Sequence, residues 1–494
     1  MKPQRYAQRD CGNPPRHLGG YTLLGGVMSD TRTVGDLFPS RRELLKLGGY
    51  GLLAASVDAA WPLRLAASGR KSHPRGNARN VLFLEISGAV SHVESFDFKE
   101  NAGTPKDLDV RKVHSDLQLS HLLFPRLESQ MDKLAIVRSL LSHEEVHFRG
   151  QYYVQTGRQL NLAFAREIPA IGCVLASELE ARRRAQDTFP TYMSFNLDKA
   201  FPGALSTGFL PPQFSVVDIN PESAVKGMAL DQKAVELLEE RWQLLSRLRE
   251  VSRPRLAGYG REMASYENFY ETAHKLLSDE RWPAAFRIGD DDRKRYGNTP
   301  LGISAVLARN VLAQDAGTHY IHICHPGWDH HVQIWDRKAS SNHYTLCAEF
   351  DPAFTSLLED LGRMRSKTNP EKTLLDETLV VTMSEFGRTP GALNNMQGRD
   401  HYNRCFPAMF AGAGVKGGRA LGRTDADGAK CLDTGWGLQE QPRIENVVAT
   451  MFSALGIDWT KEVRNTPSGR TYVYVDPLGA NGVIPTDEIS TIYG

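Results

Sequence analysis

The chain lacks most of the features that would fix its class at once. Its 494 residues hold six cysteines, none of them in a C-x-x-C pair, which excludes a cysteine-built zinc cluster and a thiol redox motif. The five beyond the N-terminal region, Cys173, Cys324, Cys347, Cys405 and Cys431, read as buried thiols or at most a disulfide or two. No apolar run past the N-terminal region is long enough to span a bilayer. There is no internal repeat, no low-complexity tract and almost no net charge, +1 formally. Ten of the 59 Lys and Arg but only five of the 58 Asp and Glu fall in residues 1–70. The rest is mildly acidic, which argues against a nucleic-acid binder. What is present, 41% hydrophobic and 24% charged residues, suits a soluble protein with a sizeable core.

The basic excess at the start has a specific form. In "SRRELLKLGGYGLLAASVDA", Arg41 and Arg42 precede a short Gly- and Ala-rich apolar run, and Val57-Asp58-Ala59 offers a cleavage site. This is the pattern of a twin-arginine export signal. It predicts engagement with the twin-arginine machinery and a periplasmic or extracellular location, with membrane anchoring if the signal is retained. Met28 is an alternative start to Met1. Residues 1–70 are set aside as extension and signal.

Beyond them, "VLFLEIS" (81–87), "KLAIVRS" (133–139), "HYIHICH" (319–325), "TLVVTMSEF" (378–386) and "FPAMFAGAG" (406–414) read as buried strands. Amphipathic stretches such as "IPAIGCVLASELEARRR" and "DPAFTSLLEDLGRMRS" lie between them. Alternation of this kind predicts an α/β fold, a doubly wound, mostly parallel sheet with helices on both faces. Residues 221–286, dense in charge, with Leu238, Trp242, Leu245 and Arg249 at helical spacing, predict a helical insertion. Residues 476–494 form a C-terminal tail.

Function in an open parallel sheet sits at the carboxyl ends of its strands. There the sequence places His92, Glu94 and Asp97 after the first run, and His143 and His147 after the second. His325, Asp329, His330 and His331 follow the third; Glu385, Arg388, Asp400 and His401 follow the fourth. Imidazoles and carboxylates converging from rigid elements suit a divalent transition metal. Taken singly, His92 or Asp97 reads as a loop hydrogen-bonder. Glu385 ends an apolar strand, so a metal or a cation such as Arg388 is expected to meet it, the bland alternative being a structural ion pair. "SHEEVHFRG" also contains His143-Glu144-x-x-His147, the zinc peptidase pattern, which demands both histidines on one continuous helix. Here His143 falls on a strand-to-helix turn and His147 opens the helix.

"GAVSHVESFDFK", "HEEVHFRGQYYVQTG", "GWDHH", "DETLVVTMSEFGRTP" and "GRDHYNRCFPAMFAGAGVKGG" resemble, in this order, the landmarks of the domain of unknown function 1501 family. That family is similar to the alkaline phosphatase and sulfatase superfamily, and the resemblance, which covers roughly residues 78–475, implies one domain of the same fold over that range. It carries over Ser91, His92, Phe96, Asp97, His147, Gly150, Asp329, His331, Glu385, Gly387, Arg388, Asp400 and His401. Two departures stand in the first motif: Gly88-Ala89-Val90 replaces the family's Gly-Gly-Pro, and Glu94-Ser95 replaces Asp-Thr. Ten residues before Gly157 of Thr156-Gly157, where sulfatases and phosphatases carry a Cys or Ser nucleophile, stands His147. The first-strand acids of sulfatases fall near Ser87 and Gly88, where this chain has no carboxylate.

The expected function is an exported metal-dependent hydrolase of phosphate or sulfate esters, acting on a small anionic ester or a sulfated or phosphorylated glycan. The metal, zinc, calcium or manganese, would be held by Asp329, His331, Glu385, Asp400, His401 and His147. His147 and Arg388 are the candidate catalytic pair, Arg388 steadying the anion, and His92, Glu94, Asp97 and His143 are further candidates. A non-catalytic protein binding such a glycan, or a protein partner, is the alternative. A zinc peptidase is the third reading.

Overall fold

The computed structural model describes residues 72–114, 117–200, 203, 205–227, 232–256, 270–477 and 487–494. The export signal expected within residues 1–70 lies outside the described residues. Asn80–Ile86 (β1) is buried along its whole length and shows how the core is divided. Successive side chains of a strand point to opposite faces, so Leu82, Leu84 and Ile86 join one apolar cluster and Val81 and Phe83 the other. Each face then needs its own cover.

Seven further strands complete the sheet: Leu134–Leu140 (β2), Tyr192–Phe195 (β3), Val217–Ile219 (β4), Tyr320–His325 (β5), Thr378–Met383 (β6), Phe406–Ala411 (β7) and Arg419–Leu421 (β8). Their order is β8-β2-β7-β6-β1-β5-β3-β4. All neighbours are parallel except β7, which runs antiparallel to β2 and β6. Helices His147–Thr156 (α1), Ile171–Leu179 (α2) and, near the C-terminus, Ile444–Ala454 cover the Val81 face; Pro300–Gln314 and His343–Arg363 cover the other. In chain order, Gln232–Leu256 is α3 and the last three are α4 (300–314), α5 (343–363) and α6 (444–454).

All five apolar runs chosen from the sequence are strands of this sheet. The ones missed, β3, β4 and β8, are 4, 3 and 3 residues long, too short for a period to register. Helix α5 starts eight residues before the stretch read as helical, because the Asn342 side chain accepts from Thr345 N at 3.0 Å and caps it. Edge strand β4 leads into Pro221–Gly227, α3, a helix over 270–277 and Arg281–Ala285. At the C-terminus Ile489 and Ile492 are fully buried, docked on α6 by Ile489 N to Thr450 Oγ1 at 2.9 Å.

One buried acid ties α6 to α1. Glu445, 2% exposed in the first turn of α6, accepts from the Tyr153 hydroxyl on α1. Burial pushes its carboxyl up to about 7, and the Tyr153 bond offsets this only in part. A folded-state pKa above the unfolded value near 4.5 gives stability that is full below that value and is lost as pH rises through about 7. Unfolding titrations should show roughly 3 kcal/mol of this loss, and Glu445→Gln should flatten it. A pH-independent difference between the two proteins would refute the assignment.

Candidate functional site: a three-histidine, one-aspartate cluster

The strands end level with one another. Ile86 of β1 pairs with His325 of β5, and Glu85 with Met383 of β6; antiparallel β7 opens at Phe406 beside Leu140, the last residue of β2. Four loops are thereby gathered at one edge. The loop after β2 leads into α1, whose first residue is His147, with Val146 still extended at the cap. The loop after β5 carries Asp329 and His331. The segment after β6 carries Glu385 and Arg388, then returns as a short antiparallel ladder that pairs Arg388 with His401.

Ligand atoms of His147, Asp329, His331 and His401 all lie within 4.8 Å of one another. Asp329 Oδ1 stands 3.0 Å from His147 Nε2 and 3.1 Å from His331 Nε2, and His331 Nε2 stands 2.8 Å from His401 Nε2. Each imidazole is held from behind by an acceptor. His147 Nδ1 donates to Glu385 Oε1 at 2.7 Å, His331 Nδ1 to Asp400 Oδ1 at 3.1 Å, and His401 Nδ1 to the Glu145 carbonyl at 2.5 Å. Acceptors at all three Nδ1 atoms put the ring protons there, so in the neutral rings the Nε2 lone pairs converge on one point beside a carboxylate.

Lone pairs so placed repel unless a proton or cation lies among them. The electrostatics agree: burial alone would lower His147, yet hydrogen bonds to Asp329 and Glu385 raise it to about 9. Burial would raise Asp329, but His147, His401 and Arg388 hold its carboxyl well below the usual range. Three nitrogens and one oxygen, with outer acceptors fixing each ring, are a donor set that fits a borderline metal such as zinc. They do not suit calcium, which takes six to eight oxygens. Asp329 and His331 are 47% and 37% exposed at the side chain, so the cluster opens to solvent on that side.

Glu385 and Asp400, expected among the ligands, stand one hydrogen bond behind it. Glu385 is fully buried and also accepts from Gly88 N at 3.0 Å and Gln151 Nε2 at 3.3 Å. Asp400 accepts in addition from Asn394 at 3.0 Å. Arg388, expected to steady an anion, is instead fully enclosed. Its guanidinium donates to the carbonyls of Gly88, Ala89 and Arg399 and to Asp329 Oδ1, with edge atoms 3.2–3.3 Å from His147 and His331 Nε2. It is a positioning residue for Asp329.

The candidates after β1 do not reach the cluster. Glu94 is spent on a buried ion pair with Arg399 and on the Ser91 hydroxyl. Asp97 accepts from Thr424 and faces Arg138 and Lys99. His92 Nε2 binds the Gly428 carbonyl at 2.8 Å. His143 precedes α1, packs 6.1 Å from the Tyr153 ring, and burial drops it to about 4. The continuous helix that a zinc peptidase needs is absent, because α1 starts at His147.

Sequence reading missed the parts that hold the cluster. Gly88, at φ +105°, passes so close to the next loop that a methyl would sit 2.7 Å from Asp329 N, and one on Gly398 would meet His331 C at 2.1 Å. Arg399 is a second enclosed guanidinium; its place in "GRDH", between Gly398 and Asp400, was the one signal for it. Ala89 adopts φ +67°. A left-handed alanine costs about 1 kcal/mol, so Ala89→Gly should raise the unfolding free energy by roughly that amount in urea titrations. A fall instead would mean that the side chain earns its place by packing.

The family model described as "Protein of unknown function (DUF1501)" matches residues 78–481. No curated protein matches the chain. Solved structures to which it is similar include a protein in the alkaline phosphatase superfamily from Vibrio parahaemolyticus (11% identity, 80% of this chain and 73% of that one, TM-score 0.36). Another is a phosphonate monoester hydrolase from Silicibacter pomeroyi (12%, 84% and 76%, TM-score 0.37). A third is the C-terminal periplasmic domain of EcEptC from Escherichia coli in complex with Zn (10%, 84% and 94%, TM-score 0.35).

Proposed function

The chain belongs to the DUF1501 family, and from that premise we propose that it is an exported, zinc-dependent hydrolase of phosphate or sulfate esters, working in the periplasm or outside the cell. The observation that carries this reading is the convergence of three Nε2 atoms and Asp329 Oδ1 within 4.8 Å, each ring fixed from behind. The twin arginines at 41 and 42 support the export step, and among the described residues no helix is long and apolar enough to cross a membrane.

When bound, the metal supplies Lewis acidity toward the ester oxygen. The chain's own part is placement. His147 opens α1, so an oxyanion beside it also meets the positive end of the helix dipole. Phe386, 4.9 Å from both the His147 and His401 rings, closes the inner wall against water. Asp329 and His331 form the open side, through which a small anionic ester or the end of a sulfated or phosphorylated glycan enters. With an imidazole where relatives of the superfamily keep Ser or Cys, no side chain there forms the usual covalent ester, and the attacking oxygen comes from solvent on the open side.

A second reading rests on Arg388. Its guanidinium already neutralises Asp329 and edges two of the rings, so a polar network without metal would leave a binding protein for the same anions. Elemental analysis of the purified protein, with turnover of nitrophenyl phosphate and nitrophenyl sulfate, separates the two. About one zinc per chain and ester cleavage, both lost in a His331→Ala/His401→Ala variant, are expected. Absence of metal and turnover together would end the hydrolase reading.

A further inference from the structure

Helix α3 carries a face that the other described residues leave bare. On one side it is packed: Trp242 stacks on His274 at 4.2 Å and 11°, Arg249 lies over Trp242 and Tyr270, and Glu239 meets His274 Nε2 at 2.9 Å. Roughly 160° round the helix, at 100° per residue, Leu237, Leu244, Leu248 and Val251 are 42%, 59%, 55% and 77% exposed. Isolated exposed leucines need no explanation, but these are not isolated. Leu237, Leu244 and Val251 fall on d positions of one heptad frame and Arg241 and Leu248 on the a positions, a seam about 21 Å long.

We propose that this seam pairs with the same seam of a second copy of the chain, antiparallel, as a short two-stranded coiled coil. Charge decides both the occupant and the direction. In a parallel pair, Arg241 at an a position would face Arg241 of the second copy, like charge on like charge. In the antiparallel pair, Leu237 layers on Leu248 and Arg241 on Leu244, whose neighbourhood accepts the aliphatic stem. The flanking g positions then bring Glu240 of one copy opposite Arg247 of the other, twice by symmetry. The stripe is thus self-complementary, as a two-fold interface requires. Isolated helices of this length are marginal in water, but α3 is already held by its Trp242 face, so association does not bear the cost of forming it.

Sedimentation velocity on the full chain across a wide micromolar range tests this, with circular dichroism to confirm that each variant folds. Wild type should dimerise reversibly, and Leu244→Glu/Leu248→Glu should be monomeric. Glu240→Arg and Arg247→Glu should each weaken the dimer about tenfold or more, since each turns both symmetric attractions into repulsions, while the double swap restores it. A wild type monomeric throughout, a dimer that survives Leu244→Glu/Leu248→Glu, or a double swap no better than the singles would overturn the proposal. None of these readouts involves the metal cluster.

Discussion

Replacing Arg388 by methionine is expected to cost about 3–5 kcal/mol of stability and to scatter the cluster, far more than a substrate-binding arginine would. The side chain is 1% exposed, and its donors are committed to three main-chain carbonyls, Gly88, Ala89 and Arg399, and to Asp329. Methionine keeps much of the volume and none of the donors. It strands buried carbonyls, each worth about 1–3 kcal/mol when unsatisfied, and takes from Asp329 the one guanidinium that fixes it beside the imidazoles. Lysine should recover less than half of the loss, because one ammonium cannot reproduce a planar fork that reaches three carbonyls and a carboxylate. Urea unfolding followed by circular dichroism, on metal-loaded and metal-free protein, measures this. If Arg388→Met unfolds like wild type while KM for an anionic ester rises, the guanidinium faces substrate after all.

How far the sequence could carry the site is visible in this same arginine. Its type and its place after β6 were legible, and so was the convergence of strand ends that makes any residue there a candidate. Direction was not. Glu385 and Arg388 both read as groups that meet at the site; one turned out to stand behind His147 and the other behind Asp329, because a hydrogen bond's orientation depends on loops that carry no period. His147, His331 and His401 were recoverable because each opens or ends a regular element or lies in a Gly-flanked turn. Glu94 and Asp97 stayed further candidates, since a carboxylate after a strand looks the same whether it meets a metal or, as Glu94 does, an arginine 305 residues away. The sheet itself was plain from five apolar runs. What escaped was the reversal of β7, which leaves no trace in a strand buried on both faces, since parallel and antiparallel pairing ask for the same apolar residues.

On the proposed zinc reading, the order in which substitutions weaken metal binding should reproduce the layering of the cluster. His147→Ala removes a ligand atom and should lower affinity by more than about a hundredfold. Glu385→Gln removes only the carboxylate that holds His147 Nδ1, and outer partners of this kind are worth about 10–100-fold. A glutamine oxygen in the Oε1 place can still accept from His147, Gly88 N and Gln151, but its amide nitrogen then takes the Oε2 place 3.3 Å from Gly88 N, donor against donor. Asp400→Asn should cost least, because Asp400 is 59% exposed at the side chain and water can take its place at His331 Nδ1. Competition for zinc against a chromophoric chelator gives all three values on one scale. Equal losses for Glu385→Gln and His147→Ala would mean that Glu385 binds the metal directly, which requires it to release Gly88 N and Gln151. The measured spacing between the two losses therefore reports on whether the backbone that follows β1 at Gly88 is locked to the site, and it does so whether or not an ester is cleaved there.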